Sequence, residues 1–408
     1  MSRWAEARSR LGWLRPGMGV KRWGLLLFAG LIMLAAGVPA PIPFTFLHPG
    51  FQALVFLVAG GAMVVLAVYG LNRSLLAAVR RTDQGELVEV VYRHRHRQRG
   101  PKVVAIGGGH GLNTLLRGLK EHTDHITAIV TVADDGGSSG RLRRELGMLP
   151  PGDFRNCIAA LSDAEGLVTQ LFQYRFGDDS DLEGHSFGNL YLTAMTAITG
   201  SFEAALAESS RVLAVRGRVI PSTLAQVTLC AELATPDGGW EAICGESKIG
   251  EGRSRIQRVY LEPENPPAYP EAIRAILEAD LIVAGPGSLY TSVLPNLLVP
   301  DLARAIASSS AAKVYVCNVA TQAGETENYD VGAHIDALRS HVGAGLFQIV
   351  LANGAFLGDR PPGAEWVLLP PPQTVDYRLV TRELVDHQHP WRHDPTRLAA
   401  ALMEFVKI

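Results

Sequence analysis

The chain has 408 residues, enough for one large or two ordinary domains with a sizeable core. Its 38 Lys and Arg against 40 Asp and Glu leave a formal net charge of −2, which removes any global electrostatic pull toward nucleic acid. The four cysteines, Cys157, Cys230, Cys244 and Cys317, are widely spaced with no CxxC pair, so neither a zinc site nor a disulfide framework is expected, and a reducing compartment is the simplest reading.

The first 22 residues carry Arg3, Arg8, Arg10, Arg15, Lys21 and Arg22 against one acid, Glu6, ahead of an uncharged run over residues 23–47. A second run, residues 49–71, holds Gln52 as its one strongly polar side chain. Each run exceeds the roughly 20 residues that span a bilayer, and neither shows an amphipathic face. Between them lies the proline-rich VPAPIPFTFLHPG, and basic residues resume at Arg73, Arg80 and Arg81. Positive charge at both outer ends and none in the middle predicts a two-helix transmembrane hairpin with both termini in the cytoplasm. A secretory signal peptide is the alternative for the first run, but the second run and its basic flank argue against simple cleavage; a buried helical pair in a soluble domain is the other alternative.

Residues 1–72 are therefore assigned to a basic segment and two spans, 73–101 to a juxtamembrane linker, and 102–408 to a soluble domain. The linker ends in the basic RHRHRQRGPK, which suits anionic headgroups or a plain solvated spacer about equally. It is short and lacks interleaved aromatics, so nucleic acid is not an expected partner.

The soluble part alternates strands and helices. Val103–Ile106 is a buried-type strand running into Gly107, Gly108, Gly109 and Gly111, with a helix expected from Leu112 to residue 121. Its N-terminal N–H groups would face an anion in the turn. A second strand over 126–133 ends in Asp134-Asp135-Gly136-Gly137-Ser138-Ser139-Gly140. Helices are expected over 153–163, 187–199 and 202–215, with Asp153 able to cap the first. An antiparallel insert is expected over 223–233, 240–244 and 255–261. Parallel character returns at 280–284, 313–317 and 347–351, and a closing helix covers 396–407. The fold class is α/β: a Rossmann-like, doubly wound, mostly parallel sheet with a small antiparallel β insert.

The chemistry lies in the loops at the strand ends. GGGHGL departs from the dinucleotide fingerprint GxGxxG at Leu112, yet Asp134 falls where a nicotinamide enzyme places its ribose-binding acid, so an oxidoreductase stays as a rival. Asp134 and Asp135 are candidate ligands for a divalent cation or for ribose hydroxyls, while Gly136, Gly137, Ser138 and Ser139 offer consecutive N–H groups to phosphate. Gly285, Pro286, Gly287 and Ser288 repeat the pattern after an apolar strand, and Asn318, Thr321, Gln322, Glu325 and Thr326 follow another. Asn156 lies in a proline turn that opens a helix. His185, with Asn189 four residues on, is the one evident candidate for general acid–base duty, against the ordinary reading of a hydrogen-bonding histidine at a helix start. Arg392 in RHD would bring a cation back to the site, or belongs to a surface turn.

Taken together, GGGHGLNTLLRGLK, TVADDGGSSGRLR, LPPGDFRNC, HSFGNL, GPGSLYTSVLPNLLV, NVATQAGET and RHDPTRLA resemble the YvcK family of gluconeogenesis factors, within the CofD-like superfamily. The resemblance spans about 300 residues and leaves the first 100 unaccounted for; His110 replaces the threonine usual in the first motif. It implies a Rossmann-like fold that binds a UDP-activated sugar, UDP-N-acetylglucosamine, and a regulatory role joining carbon metabolism to envelope growth and cell shape. CofD enzymes, by contrast, transfer a phospholactyl group with a metal at an aspartate loop, which here matches Asp134 and Asp135. The expectation is thus a nucleotide-sugar-binding regulator at the bacterial cytoplasmic membrane, its soluble domain in the cytoplasm. Mg2+ would accompany the ligand; a homo-oligomer and envelope-synthesis proteins are the expected partners. A metal-dependent transferase is the alternative.

Overall fold

The computed structural model describes residues 20–37, 49–79 and 97–406, apart from short breaks at 164, 178–180, 236, 250–254, 357, 359–362 and 371–375. The chain divides into two compact units, Met1–Arg99 and Gly100–Ile408.

In the first unit, α1 (Val20–Gly37) and α2 (Pro49–Val79) pack against each other. Glycines set the distance: a methyl group on Gly60 would lie 2.9 Å from the Gly30 carbonyl oxygen, and one on Gly70 would meet the Trp23 ring. Small residues at such a crossing let two backbones approach closely. Outward-facing side chains of α2, including Leu54, Val58, Val65 and Tyr69, are more than half exposed. Among the described residues one stretch, Ala53–Asn72, is long and apolar enough to cross a membrane; Arg22–Ala36 in α1 is apolar but shorter. The basic segment before residue 20, the proline-rich turn and most of the basic linker lie outside the described residues.

The second unit runs β1 (Val103–Gly107), α3 (Gly109–Leu119), β2 (Ile126–Val130), α4 (Gly137–Leu146), α5 (Gly152–Leu161), α6 (Glu165–Gln173), α7 (Phe187–Thr199), α8 (Phe202–Val212) and β3 (Arg218–Pro221). The insert follows: β4 (Thr228–Ala234), β5 (Trp240–Cys244), α9 (Glu246–Ile249) and β6 (Ile256–Glu262). Then come α10 (Pro270–Leu277), β7 (Leu281–Ala284), a π-helical turn (Leu289–Val293), α11 (Leu294–Leu297), α12 (Pro300–Ser308), β8 (Ala312–Val316), α13 (Val331–Val342), β9 (Ile349–Asn353), β10 (Arg378–Arg382) and α14 (Pro395–Met403).

Seven strands form one parallel sheet in the order β10-β9-β8-β7-β1-β2-β3. Strand order reverses between β1 and β7, whose neighbours Val103 and Leu281 are in register. Such a reversal opens a crevice at the carboxyl ends of the strands. The sheet is doubly covered, and β1, β2 and β7 are buried along their whole length. Leu112, Leu115, Leu116 and Leu119 put one face of α3 fully into the core, each burial contributing roughly 1.5–3 kcal/mol.

The insert is antiparallel, ordered β5-β4-β6, as the sequence predicts. Its first strand starts at residue 228 rather than 223, because the Thr223 hydroxyl donates to the Pro267 carbonyl at 2.6 Å and accepts the Ala225 N–H at 3.0 Å, which holds a turn there. One expectation is corrected: Cys230 and Cys244, directly paired across β4 and β5, form a disulfide. Their separation of 14 residues gives no motif in sequence; the strand register brings them together. A second correction concerns GGSSG, which is no loop: Gly137 already opens α4.

Candidate functional site

Strands β1, β2, β7 and β8 deliver four loops to one rim. Gly108 caps α3 in an extended conformation and offers no side chain. A methyl on Gly111 would stand 2.3 Å from the Pro286 carbonyl oxygen, so the first turn of α3 lies against the backbone of the loop after β7. Asn296, fully buried, donates to the Gly107 carbonyl at 3.0 Å and fixes the same junction from below.

The loop after β7, Gly285 to Ser288, contains a cis Gly285–Pro286 peptide. Asn318, from the end of β8, clamps Gly287 with both halves of its amide, accepting from the Gly287 N–H at 3.1 Å and donating to the Gly287 carbonyl at 2.8 Å. Glu325 accepts from the Ser288 hydroxyl, from Tyr290 N–H at 3.3 Å, from Thr291 Oγ1 at 3.2 Å and from Gln322 Nε2 at 3.0 Å. Burial pushes its pKa up, partly opposed by these donors.

After β2, Asp134 Oδ1 accepts the Gly136 N–H at 3.0 Å, and Asp135 Oδ1 accepts the Ser247 N–H from α9 at 2.9 Å. A methyl on Gly152 would lie 3.1 Å from Asp134 Oδ2 and one on Gly108 would lie 2.6 Å from Asp153 Oδ2, so the two carboxylates flank one narrow space. Asp153 does not cap α5, where Pro151 holds the cap position without a side-chain bond; it accepts instead from the Gly109 N–H at the start of α3. Burial, then the Asp134 charge, raises Asp153 to about 6. Burial raises Asp134, and burial followed by the Asp134, Asp153 and Asp135 charges raises Glu246 to about 8. The Arg143 guanidinium donates to the Val227 carbonyl, and its charge favours ionised Asp134.

Two small-residue helix starts thus already face carboxylates, Asp153 at Gly109 and Glu325 at Tyr290. The start of α4 also meets a carboxylate, since Asp134 accepts the Gly136 N–H, but its first-turn N–H groups have no side-chain cap. Its cap, Gly136, has no capping side chain, and Ser138 and Ser139 in its first turn are buried beside Asp134.

His185 lies against that turn, with Nδ1 2.9 Å from Ser138 Oγ. Asn189 Nδ2 donates to Ser138 Oγ at 3.0 Å, while Asn189 Oδ1 is buried without a partner. Burial, then the Arg141 charge, lowers the His185 pKa, so the imidazole is neutral at pH 7. Asn156 is half-buried on α5, one turn beyond Asp153.

Not every expected residue joins this group in the same way. Leu112 is wholly core. Thr321 is pinned by exchange of hydrogen bonds with Glu365 at 2.7 and 2.9 Å. Arg392 is exposed, whereas its neighbour His393 is buried, hydrogen-bonded to the Cys317 backbone and lowered by burial to about 4. Glu246 has no motif to mark it, and only the path of the insert brings it to the acids; Arg143 closes the TVADDGGSSGRLR motif but is not among the expected site residues.

The half-buried carboxylates beside the start of α4 are the hard oxygen donors a divalent cation takes, and Asp134 and Asp135 would hold it with phosphate oxygens completing its shell. Fold and site together define a doubly wound α/β protein whose switch-point crevice suits a phosphorylated ligand.

The family model for 2-phospho-L-lactate transferase CofD matches residues 103–407, and the chain belongs to the CofD family. It is similar to the gluconeogenesis factor of Bacillus subtilis, 48% identical, with 75% of this chain matching 98% of that protein. The putative gluconeogenesis factor of Nostoc sp. is 46% identical over 96% of this chain and 92% of its own length, a match that takes in the N-terminal unit. A crystal structure of a UPF0052-family protein from Bacillus halodurans superposes with a TM-score of 0.69 at 44% identity, covering 75% of this chain and 99% of that one.

Proposed function

We propose that the second unit binds a UDP-activated sugar, UDP-N-acetylglucosamine, and serves as a regulator that couples carbon metabolism to envelope growth and cell shape. The observation that carries this reading is the single rim on which the loops after β1, β2, β7 and β8 touch, with the uncapped start of α4 at Gly136–Ser139 beside Asp134. The diphosphate would lie at that helix start, and Asp134 and Asp135 would hold Mg2+, whose charge would offset the repulsion between acids and phosphates. Mg2+ supplies charge neutralisation there; Ser138, His185 and Asn189 orient the ligand, with the unpartnered Asn189 Oδ1 accepting from a ligand hydroxyl or amide. The relatives named gluconeogenesis factor support the metabolic side. The two packed helices of the first unit anchor the protein in the cytoplasmic membrane, with the second unit on the cytoplasmic side, where self-association and contact with envelope-synthesis proteins would transmit the signal.

Calorimetry of the purified chain with UDP-N-acetylglucosamine, with Mg2+ and with EDTA, tests the reading. Saturable binding that needs Mg2+ is expected; no heat under either condition would sink it. A second reading, a metal-dependent transferase of a phosphate-linked group, is favoured by the acid set around Asp134 and Asp153. Its mark is release of free nucleotide from a nucleotide-linked donor, lost in Asp135→Asn.

A further inference from the structure

We propose that the Cys230–Cys244 disulfide is a thiol-responsive latch on the acid rim, which when closed holds the Gly245–Ser247 turn against Asp135. Opened by a dithiol, it lets that turn leave and weakens Mg2+-dependent ligand binding. The regulatory part of the inference rests on the binding reading above; the latch itself rests on geometry.

Cys230 and Cys244 are paired residues of β4 and β5 with Cα atoms 4.1 Å apart. Gly245 N–H donates to the Leu229 carbonyl at 2.8 Å, which makes the cysteine pair a non-hydrogen-bonded one, with side chains facing each other. The residues immediately after Cys244 reach the site. A methyl on Gly245 would lie 2.7 Å from Asp135 Oδ2, and Ser247 N–H donates to Asp135 Oδ1 at 2.9 Å. Glu246, between them, feels the charges of Asp134, Asp153 and Asp135.

Beyond its ladder to β4 and half-buried Ile243, β5 is an exposed edge. It pairs with β4 alone, Trp240 is 53% exposed, and Glu241, Ala242 and Cys244 are exposed as well. Ile249, fully buried, is the apolar anchor of α9. The disulfide is the covalent tie between β4 and the strand that leads into the turn, beside the Gly245–Leu229 hydrogen bond and buried Ile249. Reagents can reach it, because Cys244 is exposed while Cys230 is buried. Cys157 and Cys317 are buried thiols that burial keeps protonated, which confines thiol chemistry to the pair. In a cytosolic protein a disulfide of this kind acts as a sensor more often than as a staple.

The chemistry is thiol–disulfide exchange. One thiolate of the dithiol attacks Cys244 Sγ, the S–S bond breaks, and the Cys230 thiolate leaves and takes up a proton. The second thiolate of the reductant then displaces Cys244, which is protonated in turn. The reductant supplies both electrons and departs as a cyclic disulfide.

The test uses the full chain in detergent, oxidised or reduced with dithiothreitol, with thiols counted by alkylation and mass. Amide exchange is followed at residues 243–248, and binding of UDP-N-acetylglucosamine with Mg2+ is titrated. Reduction should expose two more thiols, speed exchange at Ser247 about tenfold or more, and weaken binding about fivefold. Reoxidation should restore both. Cys244→Ser should behave as the reduced form and ignore the reductant. Equal Ser247 exchange in the two states, or a Cys244→Ser chain that still responds, overturns the latch. If neither state binds the nucleotide sugar, the ligand reading fails, while the exchange comparison still decides the latch.

Discussion

Glu325 reaches back 37 residues to accept the Ser288 hydroxyl, so the loop after β8 holds the loop after β7 by its most buried acid. Four donors converge on that carboxylate. Glu325→Ala strands the buried Tyr290 N–H and Thr291 hydroxyl, while Ser288 and exposed Gln322 can turn to water, at a cost of about 2–4 kcal/mol. Urea unfolding of the variant should show a lower midpoint, and binding should weaken because Ser288 and Gly287 lose their fixed positions. Glu325→Gln, which keeps shape and part of the acceptor capacity, should lose less than half as much. Equal stability of Glu325→Ala and the parent would show that the loops are held by other contacts.

The acid rim makes stability depend on pH in a direction opposite to that of a salt-bridged carboxylate. Asp153 rises from 3.8 to about 6 on folding, so the folded chain keeps a proton that the unfolded chain has lost. Stability is then full at low pH within this window and falls as pH climbs from about 4 to about 6, by on the order of 3 kcal/mol for this group. Glu246, raised to about 8, extends the decline upward. Urea midpoints measured from pH 4 to 8 should fall without Mg2+. Asp153→Asn should flatten the lower half of the curve, and Mg2+ should recover more stability at pH 8 than at pH 5. A midpoint that rises steadily with pH would contradict the placement of these acids.

The parallel strands of the central sheet are legible in sequence because each is buried on both faces and so reads as an unbroken apolar run, as in Val103–Gly107 and Leu281–Ala284. The edge strands are not. Arg218–Pro221 opens on an exposed arginine and Arg378–Arg382 is bounded by two, with one or two buried residues in each, and a run that short resembles a loop. At the site, turns announced by glycine and by paired aspartates could be found, since backbone approach and anion contact demand those residue types. Glu246 and the disulfide could not, because they depend on how an antiparallel insert folds back, a register that no local pattern states. Asp153 was visible as a residue but not in its role. At Pro151-Gly152-Asp153 the local rule predicts a helix cap, and the approach of α3 redirects the carboxylate to Gly109.

Gly111 is where two loops meet with no room for a side chain. A methyl there would come within 2.3 Å of the Pro286 carbonyl oxygen and 2.7 Å of the Gly287 nitrogen, both backbone atoms. Gly111→Ala must push α3 away from the loop after β7, and overpacking of this kind costs about 1–3 kcal/mol or more. The expected result is a lowered melting temperature together with at least tenfold weaker binding of the nucleotide sugar. Gly137→Ala serves as a contrast for stability alone, since a methyl there meets nothing within 4 Å and the stability cost is limited to the strain of its φ of +44°. Equal binding by Gly111→Ala and the parent would place the ligand away from this junction.

The apolar stretch Ala53–Asn72 has 20 residues, about 30 Å of helix, which matches the hydrocarbon thickness of a bilayer. The full chain should therefore pellet with membranes and stay there through alkaline carbonate, whereas a chain lacking residues 1–96 should remain in the supernatant. Gly60→Leu separates two causes. Its side chain cannot fit against the Gly30 carbonyl and loosens the packing of α1 on α2, yet it leaves α2 as long and as apolar as before. If length and hydrophobicity hold the protein in the membrane, this variant still fractionates with membranes. If the parent itself stays in the supernatant, the pair is a soluble helical hairpin, and the anchor assignment falls; if only the variant leaves the membranes, the packing of α1 on α2 is what retains it.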